Sequence, residues 1–310
     1  MRQARPETAD RLQFVVVGDL STSGGFDDIV IGVDGIIHCA AVRVLTVLHL
    51  LLAHRLQQPV QIKVNDGEKD VMLPIMKGMK AILTAASTEP RVKRVVVTSS
   101  YAAMADPRHN SDPKWMYTAE HWNPLTYDEA KGYCDHRAYS GAKKFSELYA
   151  WQYMREVKPH FDLVTIVPPI VLGPVVHPVV KVSELNLTNL ALGAIATGQE
   201  YPPEFAPVWA DVRDVAIAHA EALMRPDAGG RRLIVCAPEK LSHQRVADIM
   251  RQEFGWARDV VKKGDEGAAI PPSFTMDSVT ARKVLGVSYR SLRECIVDFT
   301  AQVRELALRE

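Results

Sequence analysis

Two residues in this chain are spaced to do chemistry together: Tyr139 and Lys143, in Tyr139-Ser140-Gly141-Ala142-Lys143 at the head of a helical pattern over residues 137–151. Side chains four apart share one face of a helix, so a phenol and an ammonium can serve a single site. A free tyrosine titrates near pH ~10, and a neighbouring cation lowers that value by favouring the phenolate. Such a tyrosine can hand a proton to a carbonyl oxygen and take it back, which is general acid–base work. The spacing alone also fits a surface helix pair with no chemical role. A third group comes from Ser99-Ser100, which closes the apolar run 94–98. A hydroxyl there can hold the same carbonyl oxygen, or it can simply end a strand in a turn.

These side chains need elements that carry them to one place. Residues 14–20 read as a buried-type strand, β-branched and closed by a turn, with a short helix near 26–31 and a second strand at 35–40. Helical periodicity covers 68–87, the next strand is 94–98, and the Tyr139 helix leads into a strand at 163–167. Strands alternating with helices predict βαβ units and a parallel sheet, an α/β doubly wound fold. In such sheets ligands bind at the carboxyl ends of the strands, where Ser99-Ser100 and Pro168-Pro169 both fall. Beyond Pro174 the pattern predicts helices at 183–197, 212–224, 242–254, 278–285 and 291–308, with a strand at 232–236.

At 310 residues the chain has ample length for a buried core, in one large domain or two smaller ones. Acidic and basic residues balance at 37 each, which gives no reason to expect nucleic acid or an anionic membrane as a partner. Cys39, Cys134, Cys236 and Cys295 are scattered without CxxC spacing, so they read as reduced thiols of a cytoplasmic protein, with neither a metal site nor a disulfide frame. The first ten residues are polar and charged, unlike a signal peptide, so the sequon Asn186-Leu187-Thr188 is read as without meaning. The most apolar run, 42–53, falls short of the ~20 residues a membrane span needs and contains Arg43 and His49.

Three ordered stretches together resemble the extended short-chain dehydrogenase/reductase family: Val95–Ser100, Tyr139-x-x-x-Lys143, and Val167-Pro168-Pro169-Ile170-Val171-Leu172-Gly173-Pro174. Val33–Ala41 and Asp211-Val212-Arg213-Asp214-Val215-Ala216 add to the likeness. Within the family the chain is most similar to the dihydroflavonol reductase and cinnamoyl-CoA reductase branch, and there to fungal NADPH-dependent aldehyde and ketone reductases of the methylglyoxal reductase type. The resemblance implies a Rossmann-like fold, with a dinucleotide-binding domain over residues 1–170 and a smaller, mainly helical substrate-binding region over 171–310. It implies NADP as cofactor, a small-molecule carbonyl substrate, and reduction to an alcohol. It makes Ser100 the residue that orients the carbonyl, with Ser99 as fallback, Tyr139 the proton donor, and Lys143 the group that tunes Tyr139 and binds the nicotinamide ribose. Asp19 and Leu20 would lie beside the adenine, Ala40 and Ala41 where the cofactor approaches the sheet, and Pro168, Ile170 and Val171 on the nicotinamide side. Tyr101, beside the serine, would wall the substrate pocket or merely pack.

Two stretches depart from the family pattern. The strand at 14–20 matches the family's third, and the Gly-x-x-Gly-x-x-Gly turn that normally cradles the pyrophosphate does not precede it; Gly18, Gly24 and Gly25 have the wrong spacing. The expectation is a truncated dinucleotide-binding domain that folds poorly and binds cofactor weakly. Residues 42–58 read as an insertion, either a translated intron or a real amphipathic segment. The reductase reading therefore stands beside a non-catalytic relative on the same scaffold, and beside an epimerase or dehydratase of nucleotide sugars.

Overall fold

A computed structural model describes residues 10–19, 24–39, 64–204 and 206–309. Its strands are β1 (Gly35–His38), β2 (Arg94–Thr98), β3 (Met116–Tyr117), β4 (Asp162–Val167), β5 (Ile170–Leu172), β6 (Trp209–Asp211), β7 (Arg232–Ile234) and β8 (Thr275–Met276). In chain order the helices are α1 (Leu73–Thr88), α2 (Tyr127–Lys131), α3 (His136–Val157), α4 (Leu187–Ala196), α5 (Val212–Met224), α6 (His243–Glu253), α7 (Ala257–Val260), α8 (Val279–Leu285) and α9 (Leu292–Ala307).

The large sheet is wholly parallel, in the order β1-β2-β4-β7. Successive strand residues point to opposite faces, and the packing follows that parity. Val95, Val97 and Leu163 meet Met79 and Leu83 of α1 and Ala150 of α3 on one face. Val96, Val164 and Ile166 meet Ala218 and Ala222 of α5 and Leu285 of α8 on the other. Being apolar on both faces is why the strands read as unbroken β-branched runs, and each buried valine contributes about 1.5–3 kcal/mol. Parity also sorts the residues that follow. Thr98 turns to α5, where its Oγ1 lies 2.7 Å from His219 Nε2, and Ser99 turns to α3. Two short parallel ladders, β3 with β8 and β5 with β6, join the later segments to this frame. Behind them Trp209 packs with Leu192 of α4, Met250 of α6 and Phe299 of α9.

Two expected elements do not form. Residues 14–19 are irregular, and Leu20 lies outside the described residues, as do Ala40, Ala41 and 42–58. A strand exists through its ladder, and among the described residues β1 is laddered to β2 alone. No ladder among the described residues includes the apolar run 14–19: Val16 is 96% exposed, while Val17 rests against the cluster around Phe26 and Val30. The expected helix at 26–31 is one hydrogen-bonded turn, with the Ile29 and Val30 amides donating to Phe26 O, and it stops at Gly32 (φ 76°). That left-handed conformation ends a helix and suits glycine.

Helix α3 begins at Asp135, whose carboxylate accepts from the Arg137 amide at 2.8 Å. Its Gly141, between Tyr139 and Lys143, is where α2 crosses. A Cβ there would lie 2.3 Å from Ala130 Cβ. We expect Gly141→Ala to lower unfolding free energy by about 1–3 kcal/mol, the usual cost of overpacking, measured by urea denaturation. Wild-type stability would show that α2 does not need this close approach.

Candidate active site

A cavity of ≈ 570 Å³ opens at the carboxyl ends of β1, β2 and β4, within the range of small-molecule sites. Ser100, Tyr101, Tyr139, Lys143, Pro168, Ile170 and Val171 all line it. Residues separated by up to 71 positions thus meet, because each sits at or just past the end of a strand or on the helix behind it. Asp19 lies on the irregular segment and is exposed, apart from this lining.

The two serines have different fates. Ser99 is buried, and its Oγ donates to Glu147 Oε2 at 2.5 Å, which commits it to the interior. Ser100 caps the short turn Tyr101–Ala103, its Oγ accepting from the Ala102 amide at 3.1 Å. One hydroxyl hydrogen is thereby left to point into the cavity, toward Tyr139. The turn is tied to the opposite wall by the Tyr101 amide, which donates to Pro168 O at 2.9 Å.

Lys143 reaches back to β2, its Nζ donating to Thr98 O at 2.8 Å. An ammonium has three N–H bonds, so two remain for other acceptors. Burial pulls Lys143 down to about 8, against the carboxylate of Glu147, which works to raise it. Burial together with the Lys143 charge holds His38, the last residue of β1, at about 4, so it is neutral. Tyr139 departs from expectation. Burial of its phenol raises its pKa, the Ser100 hydroxyl pulls the other way, and Lys143 is not among the causes. The tyrosine is a neutral phenol, an acid ready to give its proton.

Behind the cavity, Glu147 stands one helical turn beyond Lys143, so Tyr139, Lys143 and Glu147 form one stripe of α3. Arg232 Nε donates to Glu147 Oε1 at 2.9 Å and Thr165 Oγ1 donates to it at 2.7 Å. Sequence reasoning missed Glu147, although its spacing from Lys143 was visible. It also missed His38, Thr98 as an acceptor, and His136 on the cavity wall. The sequon residues Asn186, Leu187 and Thr188 line the cavity as well, with Thr188 Oγ1 donating to Val171 O at 2.6 Å.

Tyr101 lines the cavity, and its ring stacks on Phe274 at 5.4 Å and 15°. The residues present fit the nicotinamide end of a dinucleotide. A half-committed ammonium and a phenol face the apolar wall of Pro168, Ile170 and Val171 across one cleft.

No family model matches the chain. It is 32% identical, over 97% of its length, to a protein of Schizosaccharomyces pombe named as an oxidoreductase, and covers 85% of that protein. It is 31% identical to the NADPH-dependent methylglyoxal reductase GRE2 of Saccharomyces cerevisiae, over 79% of this chain and 74% of that one. Among solved structures it is similar to yeast methylglyoxal/isovaleraldehyde reductase Gre2 complexed with NADPH, with a TM-score of 0.84 and 28% identity, covering 100% of this chain and 88% of that one. Among the described residues no helix is long and apolar enough to cross a membrane.

Proposed function

The chain belongs to the extended short-chain dehydrogenase/reductase family, and from that premise we propose an NADPH-dependent reductase of aldehydes or ketones in which Ser100, Tyr139 and Lys143 act around one carbonyl oxygen. The observation that carries this reading is the single cavity lined by all three, with Lys143 anchored on Thr98 O. The non-catalytic alternative finds no support among relatives named as reductases and oxidoreductases. Lys143, Pro168, Ile170 and Val171 would hold the nicotinamide end of the cofactor.

When bound, NADPH supplies a hydride to the carbonyl carbon. The chain's own residues manage the oxygen. Ser100 Oγ–H donates to it and fixes its direction, and Tyr139 gives its proton as negative charge develops there. Lys143 brings a positive charge to the same cleft and two N–H groups for ribose hydroxyls. Ser100→Ala should lower kcat about 10²-fold, the scale for losing one donor to a developing oxyanion. Ser99→Ala should act on stability instead, because it removes a bond to buried Glu147. Equal losses of kcat in the two variants would reverse the assignment.

The depressed Lys143 gives a signed pH dependence. Its charge is complete well below pH 8, half gone there and lost as pH rises further, so kcat/KM for reduction should fall on the basic side with an apparent pKa near 8. A profile flat to pH 10 would remove Lys143 from the reaction. The function itself is tested by mixing the purified chain with NADPH and a panel of aldehydes and ketones. Alcohol should form in step with NADPH consumed; no turnover with any of them by the folded chain would overturn the reading.

A further inference from the structure

The peptide that ends β2 is tied at both of its polar groups and through both flanking side chains. Its carbonyl, Thr98 O, accepts from Lys143 Nζ at 2.8 Å, and its amide, on Ser99, donates to Ile166 O at 2.7 Å. The side chains leave on opposite faces, Ser99 Oγ to Glu147 on α3 and Thr98 Oγ1 to His219 on α5. The geometry points to His219 as a positioning residue of the reaction: it does not line the cavity, and it acts by fixing Thr98, whose carbonyl holds Lys143 in place for the cofactor ribose. The inference rests on the reductase reading and adds to it a residue behind the site.

The ring itself gives the direction of the bonds. His219 Nδ1 lies 2.7 Å from Val215 O, one turn back on α5. A carbonyl only accepts, so Nδ1 carries the hydrogen. Burial holds the His219 pKa below its usual value, so the ring is neutral and Nε2 is left as an acceptor. Thr98 Oγ1 must then donate to Nε2, at 2.7 Å. The single hydroxyl hydrogen is spent there, and the threonine side chain is locked toward α5.

Placement is the second support. Val215, Ala218 and Ala222 of α5 pack on the sheet as an apolar stripe, and His219 stands in the same stripe, 5% exposed. Burying a polar ring there has a cost that a leucine would not carry. One of its nitrogens bonds its own helix, and the other bonds the residue that holds Lys143. Among the described residues the β1–β2 ladder stops at the pair His38 with Val97. Thr98 lies one residue past that pair, and the bond to His219 anchors it there from the α5 face.

The test is calorimetric titration with NADPH, with urea unfolding alongside, in Thr98→Val, Thr98→Ser and Thr98→Val/His219→Leu. Valine keeps the branched shape of threonine and drops the hydroxyl; serine keeps the hydroxyl and drops the methyl. Thr98→Val should weaken NADPH binding about two- to tenfold, the scale of one neutral hydrogen bond, and Thr98→Ser should lose less. KM for NADPH should rise more than kcat falls, since a ribose contact serves ground and transition states alike. The double variant separates position from packing. Replacing both partners of a bond by apolar groups spares the cost of an unpaired one. Its urea midpoint should therefore recover relative to Thr98→Val while its NADPH affinity stays low. Wild-type affinity in Thr98→Val, an equal or greater loss in Thr98→Ser, or affinity that recovers together with stability would each overturn the inference.

A readout free of ligand follows the Lys143 titration by NMR at its ε-carbon. Tyr139 and Glu147 along α3 and His38 and Cys39 at the end of β1 face that ammonium, and the variants alter none of them. Loosening a fixed acceptor disfavours the charged form, so the midpoint near 8 should fall in Thr98→Val and fall less in Thr98→Ser. If it moves in this way while the wild-type chain neither binds NADPH nor reduces a carbonyl, the placement of Lys143 by His219 stands and the reductase reading falls. Turnover by the wild type, with affinity and midpoint both unmoved in Thr98→Val, keeps the reductase reading and removes His219 from it.

Discussion

Tyr139→Phe is expected to reduce kcat by about 10²–10⁴-fold, the range for losing a positioned acid, with KM for the carbonyl nearly unchanged. The substitution removes one oxygen and little else. The ring packs against the cluster around Met72, Ala138 and Ala142, and phenylalanine keeps that contact. Lys143 is held by Thr98 O, not by the phenol, so its position should survive. The loss would then be an interaction made in the transition state, which lowers kcat and kcat/KM together. Burial, which keeps the phenol protonated, sharpens the expectation: at neutral pH this group is a donor, as reduction requires. The measurement is single-turnover consumption of NADPH, which separates chemistry from product release, alongside thermal unfolding as a control for packing. A variant within tenfold of wild type in single turnover would mean that the proton comes from elsewhere, and the account of the site would fail.

Much of this arrangement is legible in the sequence because it is local. Periodicity places α5, α8 and α9 within a residue of their observed bounds and finds the start of α3, which runs six residues past its expected end, and the apolar runs place β1, β2 and β4. Tyr139 and Lys143 can be read as partners because a helix converts a spacing of four into proximity. What fails depends on distant chain. Residues 14–19 carry a strand's composition, but a strand also needs a neighbour, and composition does not say whether one is present. The two-residue ladders β3–β8 and β5–β6 are too short to leave a period. The choice between Ser99 and Ser100 turns on strand parity and on where β2 ends, and only the buried Glu147 settles which hydroxyl is spent. The sign of the Tyr139 shift was misjudged for a related reason: proximity of a cation is readable from spacing, whereas burial of the phenol is a property of the assembled cavity.

Arg232→Met is expected to destabilise the chain by about 3–5 kcal/mol, the cost of stripping one partner from a buried ion pair. Arg232 on β7 and Glu147 on α3 are 85 residues apart, and their side chains are 6% and 1% exposed. The guanidinium bonds Glu147 at 2.9 and 3.2 Å and also donates to Ala119 O and His121 O, with Trp122 stacked 3.8 Å over it. Removing it leaves a carboxylate in the interior with Ser99, Thr165 and a long contact to Trp151 as its remaining donors, and leaves two carbonyls without theirs. Against a usual total of about 5–15 kcal/mol, that is a large share, visible as a shift in urea midpoint with little change in slope. The double variant Glu147→Gln/Arg232→Met separates charge from packing. A neutral amide can still accept from Ser99 or Thr165, so the double variant should recover part of the loss, whereas a simple cavity effect would make it no better than Arg232→Met. The same pair bears on chemistry, because Glu147 raises Lys143 while burial lowers it. In Glu147→Gln/Arg232→Met the raising influence is gone, so the basic limb of the kcat/KM profile should move below its wild-type position near 8. A limb that stays in place while stability falls would confine Glu147 and Arg232 to holding β7 against α3.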